Sequence, residues 1–280
     1  MAGLRLDLSD QEFQAFSNLV YEKAGINLHA GKKELVRARL ARRIKEKGFA
    51  SFGDYYRFVI HDENGGEMIH LLDAISTNLT SFFRESKHFH FMTEKFLPEM
   101  ATVKTKKGPR RLRIWSAGCS TGEEPYSIAM TVLDHLPRAE DWDIKILATD
   151  ISTQVLDRAW RGLYTAKQVN EIPGAVLGRY FQKGRGKTEG WYKIKDKVKG
   201  LVAFHRLNLM DPFPFSKPLD LIFCRNVMIY FDKKTQADLI TRYRQVLNGG
   251  GYIFIGHSES LSGIKHSFQY IQPTIYRKKS

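Results

Sequence analysis

The sequence predicts an α/β protein in which a small all-helical domain precedes a doubly wound domain with a mostly parallel sheet. Two observations carry this prediction. Up to about residue 97 the apolar residues recur at helical spacing, whereas beyond residue 110 short apolar runs alternate with helical stretches. In addition, the stretch IWSAGCSTGEEPY (114–126) has the strand, glycine turn and helix layout of a nucleotide-binding fold.

Length, composition and charge restrict the choice of protein class. The 280 residues are 42% hydrophobic and 12% aromatic, which is enough for one large domain or for a small and a medium domain. The absence of a long apolar run and of a signal-like N-terminus predicts a protein that is not membrane-inserted. Only two cysteines, Cys119 and Cys224, are present, which favours a reducing cytoplasm and no metal centre. A net charge of +14 indicates an acidic partner: nucleic acid, an anionic membrane surface or an acidic protein.

The first 97 residues are predicted to form the helical domain. Ser9 and Glu12 have the spacing of a capping box and precede apolar residues at helical spacing. A second helix covers KKELVRARLARRIKEK and should end at Gly48, and residues 51–61 and 67–77 continue the pattern. Residues 98–110 are predicted to be a basic linker, because the stretch 104–111 is rich in lysine, arginine, glycine and proline. The second domain then covers residues 111–280.

Five apolar runs are predicted to be the strands of the second domain: residues 112–118, 143–150, 202–209, 219–226 and 250–258. Helical stretches such as PYSIAMTVLDHL and KTQADLITRYRQVL separate some of them. The segment FQKGRGKTEGWYKIKDKVKG departs from this alternation, with a charged, glycine-bearing tip and strand-like alternation after it. We therefore predict a small antiparallel β-subdomain at about residues 180–200.

Residues at the predicted strand ends indicate the ligand. Gly118 and Gly122 permit close backbone approach, and Asp150 could accept hydrogen bonds from both ribose hydroxyls. Asp150 follows Gly118 by 32 residues, whereas the spacing in a dinucleotide fingerprint is about 20. Glu123 and Glu124 would repel a pyrophosphate but suit a cationic amine. A ligand with a ribose, an amine and no phosphate is S-adenosylmethionine (SAM), although the turn alone also fits an ordinary strand-to-helix connection.

Six segments in order resemble the CheR family of chemotaxis receptor methyltransferases: STNLTSFFRE, IWSAGCSTGEEPYSIAM, ILATDIS, RLNL, FCRNVMIYFD and GHSES. The N-terminal helices resemble the smaller domain of that family, so the resemblance covers nearly the whole chain. It implies a Rossmann-like, SAM-dependent methyltransferase domain. The implied reaction is methyl transfer from SAM to glutamate side chains of receptor cytoplasmic helices, giving glutamyl methyl esters and S-adenosylhomocysteine (SAH).

The resemblance also implies the site residues. Arg84 and Tyr230 match the residues near the reacting groups, where Arg84 would hold a carboxylate in fork geometry. One glutamate should face the methionine amine, and we favour Glu124 over Glu123. The implied cofactor-binding residues are Asn78, Thr80, Arg84, Glu124, Asp150, Asn208, Leu209, Asn226 and Val227. A glutamate carboxylate is ionised at neutral pH, so the reaction requires alignment and exclusion of water rather than a general base.

The basic second helix is the predicted contact with the receptor. Its residues 32–47 hold eight bases against two acids, and we expect Arg39, Arg42 and Arg43 to bind the glutamate-rich methylation helices. The alternative is a solvated helix face. The β-subdomain resembles that of family members which bind a receptor C-terminal peptide by strand addition. The expected partners are therefore chemoreceptors, the methyl-accepting chemotaxis proteins, and not nucleic acid. The enzyme is expected to act as a monomer.

Two other functions compete with this interpretation. A nucleic-acid methyltransferase would suit the positive charge. Amine-methylating enzymes of that class usually follow the fourth strand with Asp/Asn-Pro-Pro-aromatic, whereas this chain has Cys224-Arg225-Asn226-Val227. A SAM-sensing module without turnover is the second alternative, against which the presence of both Arg84 and Tyr230 argues.

Overall fold

The fold begins with four helices that pack around one apolar cluster. A computed structural model describes residues 7–63, 65–107 and 110–280. Ser9 caps the first helix, and its capping box with Glu12 is present as predicted. The second helix ends at Gly48, whose φ of 76° confirms the predicted C-terminal glycine. The four helices are α1 (Asp10–Ala24), α2 (Lys33–Lys47), α3 (Phe52–His61) and α4 (Gly66–Ile75).

This helical unit has a core of its own. Phe16, Val36, Leu40, Ile44 and Tyr55 are all fully buried and belong to one cluster. Val36, Leu40 and Ile44 recur every four residues along α2, so one face of this otherwise charged helix points inward. The predicted all-helical N-terminal domain is therefore confirmed.

A seven-stranded sheet forms the centre of the second domain. Its strand order is β6-β2-β1-β7-β8-β10-β9. The first five strands in this order are parallel, and β10 pairs antiparallel with both β8 and β9. The five predicted strands are confirmed, whereas the antiparallel pair at the C-terminal edge was not predicted. The strands are β1 (Arg111–Ala117), β2 (Asp143–Asp150), β6 (Val202–Arg206), β7 (Leu219–Cys224), β8 (Leu247–Ile255), β9 (Phe268–Gln272) and β10 (Ile275–Lys278).

Helices cover both faces of this sheet, as the alternating pattern predicts. The helices of the second domain are α5 (Ser86–Phe91), α6 (Leu97–Lys107), α7 (Glu123–His135), α8 (Thr153–Arg161), α9 (Ala166–Val169), α10 (Gly174–Tyr180), α11 (Asp196–Lys199) and α12 (Lys233–Val246), of which the short α9 and α10 pack against the smaller β-subdomain instead. A π-helical stretch, Met92–Phe96, joins α5 to α6. The strand order reverses between β1 and β7, which creates a topological switch point at their carboxyl ends, where such folds bind ligands.

The stretch predicted as a linker is largely helical. Helix α6 runs through most of residues 98–110, while Gly108 and Pro109 lie outside the described residues. Phe89, Phe96 and Leu97 are buried in the same cluster as Ile114 and Phe254 of the sheet. Residues from α5 onward therefore pack with the α/β domain rather than with the helical domain. The glycine- and proline-bearing composition of the predicted linker did not reveal the helix, because the apolar residues that pack this helix against the sheet, such as Phe96 and Leu97, lie before residue 98.

The β-subdomain is confirmed but begins earlier than predicted. It is a three-stranded antiparallel sheet in the order β3-β5-β4, with β3 at Leu163–Thr165, β4 at Phe181–Lys183 and β5 at Trp191–Ile194. The β3 strand lies well before residue 180, separated from β4 by α9 and α10. A three-residue strand is too short to show alternation, so the pairing with β5 could not be read from the sequence.

Candidate active site

One pocket at the switch point brings together the predicted residues. It opens at the carboxyl ends of β1, β2 and β7, and residues of the helical domain close one side of it. All ten predicted cofactor-binding and catalytic residues line it: Asn78, Thr80, Arg84, Glu124, Asp150, Asn208, Leu209, Asn226, Val227 and Tyr230. The fold thus unites residues that are separated by up to 152 positions in the chain.

The glycine turn after β1 is shaped by a close approach to Val227. Gly118 has a φ of 85°, and a Cβ at this position would lie 2.3 Å from Val227 Cγ2. Its N–H donates to the carbonyl of Thr149 at 2.8 Å, which ties the turn to the end of β2. Only glycine fits both the backbone conformation and the space. The floor of the pocket is therefore bare backbone, as a ligand lying across it requires.

The structure distinguishes the two glutamates that follow the turn. Glu124 lines the pocket, and its carboxylate accepts hydrogen bonds from Ser116 Oγ and Arg225 Nε, both at 2.7 Å. Glu123 instead accepts from Thr121 Oγ1 at 2.6 Å and Gln168 Nε2 at 3.2 Å. Burial raises the pKa of Glu123. This arrangement supports the choice of Glu124 for the methionine amine.

Arg225 is a pocket residue that the sequence interpretation missed. Its side chain is 2% exposed, and besides the contact with Glu124 its Nη1 donates to the carbonyl of Arg84 at 2.6 Å and to His88 Nδ1 at 3.1 Å. The guanidinium therefore links the end of β7 to α7 and to the segment before α5. The sequence did contain a signal for Arg225, because it lies in the segment Cys224-Arg225-Asn226-Val227, which was already identified as the end of a predicted strand at the site.

Asp150 is held by the two backbone loops beside it. Its Oδ2 accepts from the Ser120 N–H at 2.8 Å and its Oδ1 from the Ser152 N–H at 3.0 Å. Burial raises the pKa of Asp150, while these N–H donors favour its ionised form. Asp150 lines the pocket together with Ile151, and its contact with ribose hydroxyls stays a prediction.

The helical domain supplies one wall of the pocket. Asn208 Nδ2 donates to the carbonyl of Lys23 at 2.6 Å, and the Asn27 N–H donates to the carbonyl of Tyr230 at 2.8 Å. These bonds hold the end of α1 and the chain after it against two predicted site segments. The helical-domain residues in the lining before α4 are Ala24, Ile26, Asn27, Leu28, Lys32 and Leu35. Sequence reasoning missed them, because no motif marks this wall.

The segment between the two domains places Arg84 at the pocket. Arg84 is half-buried, and its Nη1 donates to the carbonyl of Leu79 at 2.8 Å. The carbonyl of Asn78 accepts from Ser120 Oγ at 2.9 Å, which fixes the segment to the glycine turn. Arg84, Thr80 and Tyr230 all contribute to the lining.

The basic residues of α2 do not belong to this pocket, and two of them have intramolecular roles. Arg43 forms a two-pronged ion pair with the buried carboxylate of Glu67, at 2.7 and 2.8 Å. Arg39 donates to the carbonyls of Ile75 and Ser76 at the end of α4. The side chain of Arg42, by contrast, is 85% exposed and pairs with Glu46. The geometry thus favours Arg42 over Arg39 and Arg43 as a residue that meets a partner.

A group of potential metal ligands lies behind the pocket. Within the described ranges, Glu85, His88 and His257 offer atoms that lie within 4.8 Å of one another. Arg225 Nη1 already donates to His88 Nδ1. A cation there would have to displace a guanidinium of the same charge, so this group fits a metal poorly.

Two features together define a SAM-dependent methyltransferase. One is the strand order with its antiparallel edge pair. The other is a switch-point pocket in which glycine backbone lies between an acidic residue suited to a ribose and an acidic residue suited to an amine. Family comparison agrees and is more specific. Residues 78–277 match the model described as "CheR methyltransferase, SAM binding domain", and residues 11–76 match "CheR methyltransferase, all-alpha domain". The chain belongs to the CheR methyltransferase family. These matches meet near residue 77, before the boundary predicted at residue 97.

Curated relatives extend along nearly the whole chain. A chemotaxis protein methyltransferase of Borreliella burgdorferi is 42% identical over 99% of this chain and 97% of its own length. The enzyme of the same name from Escherichia coli is 38% identical over 97% of this chain and 92% of its own. Chemotaxis protein methyltransferase 2 of Pseudomonas aeruginosa is 39% identical, with 95% and 92% covered. Across residues 7–63, 65–107 and 110–280, no helix has the length and apolar character needed to cross a membrane.

Proposed function

We propose that this protein methylates glutamate side-chain carboxylates on the cytoplasmic helices of chemoreceptors, forming glutamyl methyl esters and SAH. The observation that carries the proposal is the convergence of Arg84 and Tyr230 with Glu124 and Asp150 on one pocket. The acidic residues suit the amine and ribose of SAM, and the guanidinium suits a carboxylate. The names of the curated relatives place them in chemotaxis.

Each group in the pocket has a simple task in this reaction. SAM supplies an activated methyl group when bound. Glu124 and Asp150 orient the amine and the ribose, and Asn208 and Leu209 flank the adenine. Arg84 holds a carboxylate, and Tyr230 helps to align the acceptor. A glutamate acceptor is already ionised at neutral pH, so catalysis consists of alignment and exclusion of water, without a proton transfer.

Recognition of the receptor is proposed for two surfaces. Arg42 on α2 supports an electrostatic contact with acidic methylation helices, because its side chain is exposed. The β-subdomain has β3 and β4 as its edge strands, so a receptor C-terminal peptide could add to either edge. We further propose that the enzyme acts as a monomer in the cytoplasm, where the receptor helices are located and where the buried thiols of Cys119 and Cys224 stay reduced.

The decisive experiment uses SAM with a tritiated methyl group. The protein is incubated with this SAM and chemoreceptor-containing membranes and, separately, with this SAM and RNA. The labelled products are then treated with mild base. We expect label on the receptor that base releases as methanol, which is diagnostic of an ester. Base-stable label on RNA would instead identify a nucleic-acid methyltransferase, which the net charge of +14 would suit. Binding of SAM without any transfer would identify a sensor.

A further inference from the structure

Leu79 is the most exposed large apolar residue among those that the structure describes, at 80%. It lies in the segment between α4 and α5 and belongs to the lining of the switch-point pocket. A leucine left in water forfeits the free energy that its burial would contribute. Single exposed leucines are common on protein surfaces, so the place of Leu79 at the pocket, rather than its exposure alone, indicates a role.

The backbone on both sides of Leu79 is fixed to the α/β domain. The carbonyl of Asn78 accepts from Ser120 Oγ at 2.9 Å, which attaches the segment to the glycine turn. Further along, the Phe83 N–H donates to Ser127 Oγ of α7 at 3.0 Å. Leu79 is therefore held in an exposed position by anchored neighbours.

The residues proposed to hold the cofactor are far more buried than Leu79. Glu124 and Asp150 are each 7% exposed, and Asn208 is 9% exposed. SAM bound to these residues would occupy the buried part of the pocket, which leaves the exposed part of the lining for the methyl acceptor. The acceptor has to reach the methyl group from solvent, so it meets the exposed lining, to which Leu79 belongs.

A hydrogen bond connects Leu79 to the residue proposed to hold a carboxylate. Arg84 Nη1 donates to the carbonyl of Leu79 at 2.8 Å, so a carboxylate bound by the other N–H groups of Arg84 would lie near Leu79. The lining holds two further cations, Lys32 and Arg225, of which Arg225 is paired with Glu124. Such cations attract carboxylates in general, whereas an apolar contact depends on the side chain beside the carboxylate.

We propose that Leu79 is an acceptor-binding residue, which packs against an apolar side chain one helical turn from the glutamate to be methylated. Residues three or four positions apart lie on one face of a helix, so a glutamate that enters the pocket brings such a neighbour to the exposed lining. A charged neighbour would lose water against the leucine, which is unfavourable. This inference rests on the proposed function and narrows its acceptors to glutamates with an apolar neighbour.

The test measures KM for chemoreceptor-containing membranes with Leu79→Ala and Leu79→Asn, which shorten the side chain or make it polar. We expect KM to rise about tenfold in both, equivalent to about 1.4 kcal/mol, because the contact with the acceptor is lost. Values of kcat and the dissociation constant of SAM should stay within about twofold of wild type. Leu79→Met keeps an apolar side chain and should keep KM within about twofold.

Two measurements separate an acceptor contact from other roles of Leu79. Because Leu79 is exposed in the free enzyme, the variants should unfold at the wild-type Tm, whereas a structural role would lower it. The KM ratio of Leu79→Ala to wild type should stay constant between about 0.05 and about 0.3 M salt, since an apolar contact is not screened as charges are. Wild-type KM in Leu79→Ala and Leu79→Asn would overturn the inference, as would a comparable loss of SAM affinity.

Val103→Ala is the matched control. Val103 is an aliphatic residue of α6 that is 43% exposed and does not line the pocket. Its replacement should leave KM, kcat and SAM affinity at wild-type values. A rise in KM equal to that of Leu79→Ala would show that the loss is not specific to the pocket, and the inference would fail.

The acceptor is tested by identifying the methylated glutamates with mass spectrometry. We expect each to have an apolar residue three or four positions away, and we expect replacement of that residue by Asp to lower kcat/KM at the site at least about tenfold. Methylated glutamates without such a neighbour would overturn the inference.

A failure of this inference is separable from a failure of the proposed function. Absence of base-labile label on the receptor with the wild-type protein would refute the function itself. A wild-type protein that methylates receptor, together with Leu79→Ala and Leu79→Asn of wild-type KM, would refute the inference alone.

Discussion

Arg225 and Glu124 form a buried ion pair across the topological switch point, with 2.7 Å between Arg225 Nε and Glu124 Oε2. The arginine directly follows β7 and the glutamate lies in the first turn of α7, so the pair joins the two sides of the crevice. Removing one partner of a buried pair leaves the other uncompensated. The pair therefore fixes the carboxylate in the orientation that a cationic amine would meet.

This relationship predicts different effects for two adjacent glutamates. Replacing Glu124 by Gln should weaken SAM binding at least about tenfold, because a charge-assisted hydrogen bond to the amine contributes about 1.5–3 kcal/mol. Replacing Glu123 by Gln should leave SAM affinity within about twofold, because Glu123 bonds Thr121 and Gln168 instead. Calorimetric titration with SAM measures both. Comparable losses in the two variants would show that the amine is bound elsewhere.

A second prediction concerns the glycine turn. Gly118→Ala should abolish SAM binding and lower the free energy of unfolding, because its Cβ would lie 2.3 Å from Val227 Cγ2. Gly48→Ala is the matched control, since Gly48 also has a positive φ, 76°, but its Cβ would meet nothing within 4 Å. The control should lose about 1–2 kcal/mol for its left-handed conformation and keep its SAM affinity. Urea denaturation and calorimetry separate the two effects, and equal stability losses would contradict the steric argument.

The residues that the sequence identified are those placed by local rules. Asp150 is the last residue of β2 and Asn226 lies two residues beyond β7. Parallel strands bring their carboxyl ends to one edge of the sheet, so the convergence of these two residues could be predicted. Gly118 and Gly48 were recognisable because a turn and a helix end each require a left-handed residue.

The features that the sequence did not reveal depend on contacts between distant segments. The partner of Arg43 is Glu67 on another helix, and nothing in the spacing of α2 reveals which arginines face inward. The wall formed by Ile26 and Asn27 likewise exists only because the helical domain packs on the loop at Tyr230. Charge counting therefore described the composition of α2 correctly but could not reveal that Arg39 and Arg43 have intramolecular partners, and the contact of α2 with a receptor stays a prediction.

The internal role of Arg43 leads to a third prediction. Arg43→Gln should reduce the free energy of unfolding by about 2–3 kcal/mol, because the buried Glu67 would lose its hydrogen-bonded cation and keep only Lys47 at 3.9 Å. Arg42→Gln should change it by no more than about 0.5 kcal/mol, since its pair with Glu46 is largely exposed. Urea denaturation provides both values.

The exposed face of α2 is tested separately with Arg42→Glu. We expect this variant to raise KM for the receptor with unchanged SAM affinity, which would show that the exposed face of α2 contacts the substrate. An unchanged KM would show that it does not.

The buried imidazole of His88 predicts a dependence of stability on pH. Its folded pKa of about 3 lies below the unfolded value of about 6.5, so the unfolded state binds more protons in acid. The resulting stability is complete above about pH 6.5 and is lost as the pH falls towards 3. Between pH 7.5 and 5.5 the wild type should lose about 1.4 kcal/mol more than His88→Gln. His90→Gln alters an exposed histidine of the same helix and should follow the wild type; identical pH profiles for all three proteins would refute the assignment.

The last prediction concerns Arg84, which lines the pocket and which we propose to hold a carboxylate of the cofactor or of the acceptor. Its Nη1 donates to the carbonyl of Leu79, so the guanidinium is held by its own segment and has further N–H groups to offer a carboxylate in the pocket. Lysine keeps the charge but cannot make both contacts, because it lacks the planar fork. We expect Arg84→Lys to lose most of kcat and Arg84→Ala to lose nearly all of it, about 100-fold or more from misaligned reactants. Tyr230→Phe should be milder, because no proton is transferred.

Arg206→Lys is the matched control for Arg84. Arg206 also donates to a backbone carbonyl, that of Ile151, but it is exposed and does not line the pocket. Its replacement should leave kcat and SAM affinity close to wild type, and circular dichroism with thermal unfolding verifies that each variant folds. A purely coulombic role for Arg84 would leave Arg84→Lys nearly as active as wild type. Near-normal kcat in Arg84→Ala would instead make the residue structural. The carboxylate of the acceptor would then need another cation of the pocket lining, which leaves Lys32, because Arg225 is already paired with Glu124.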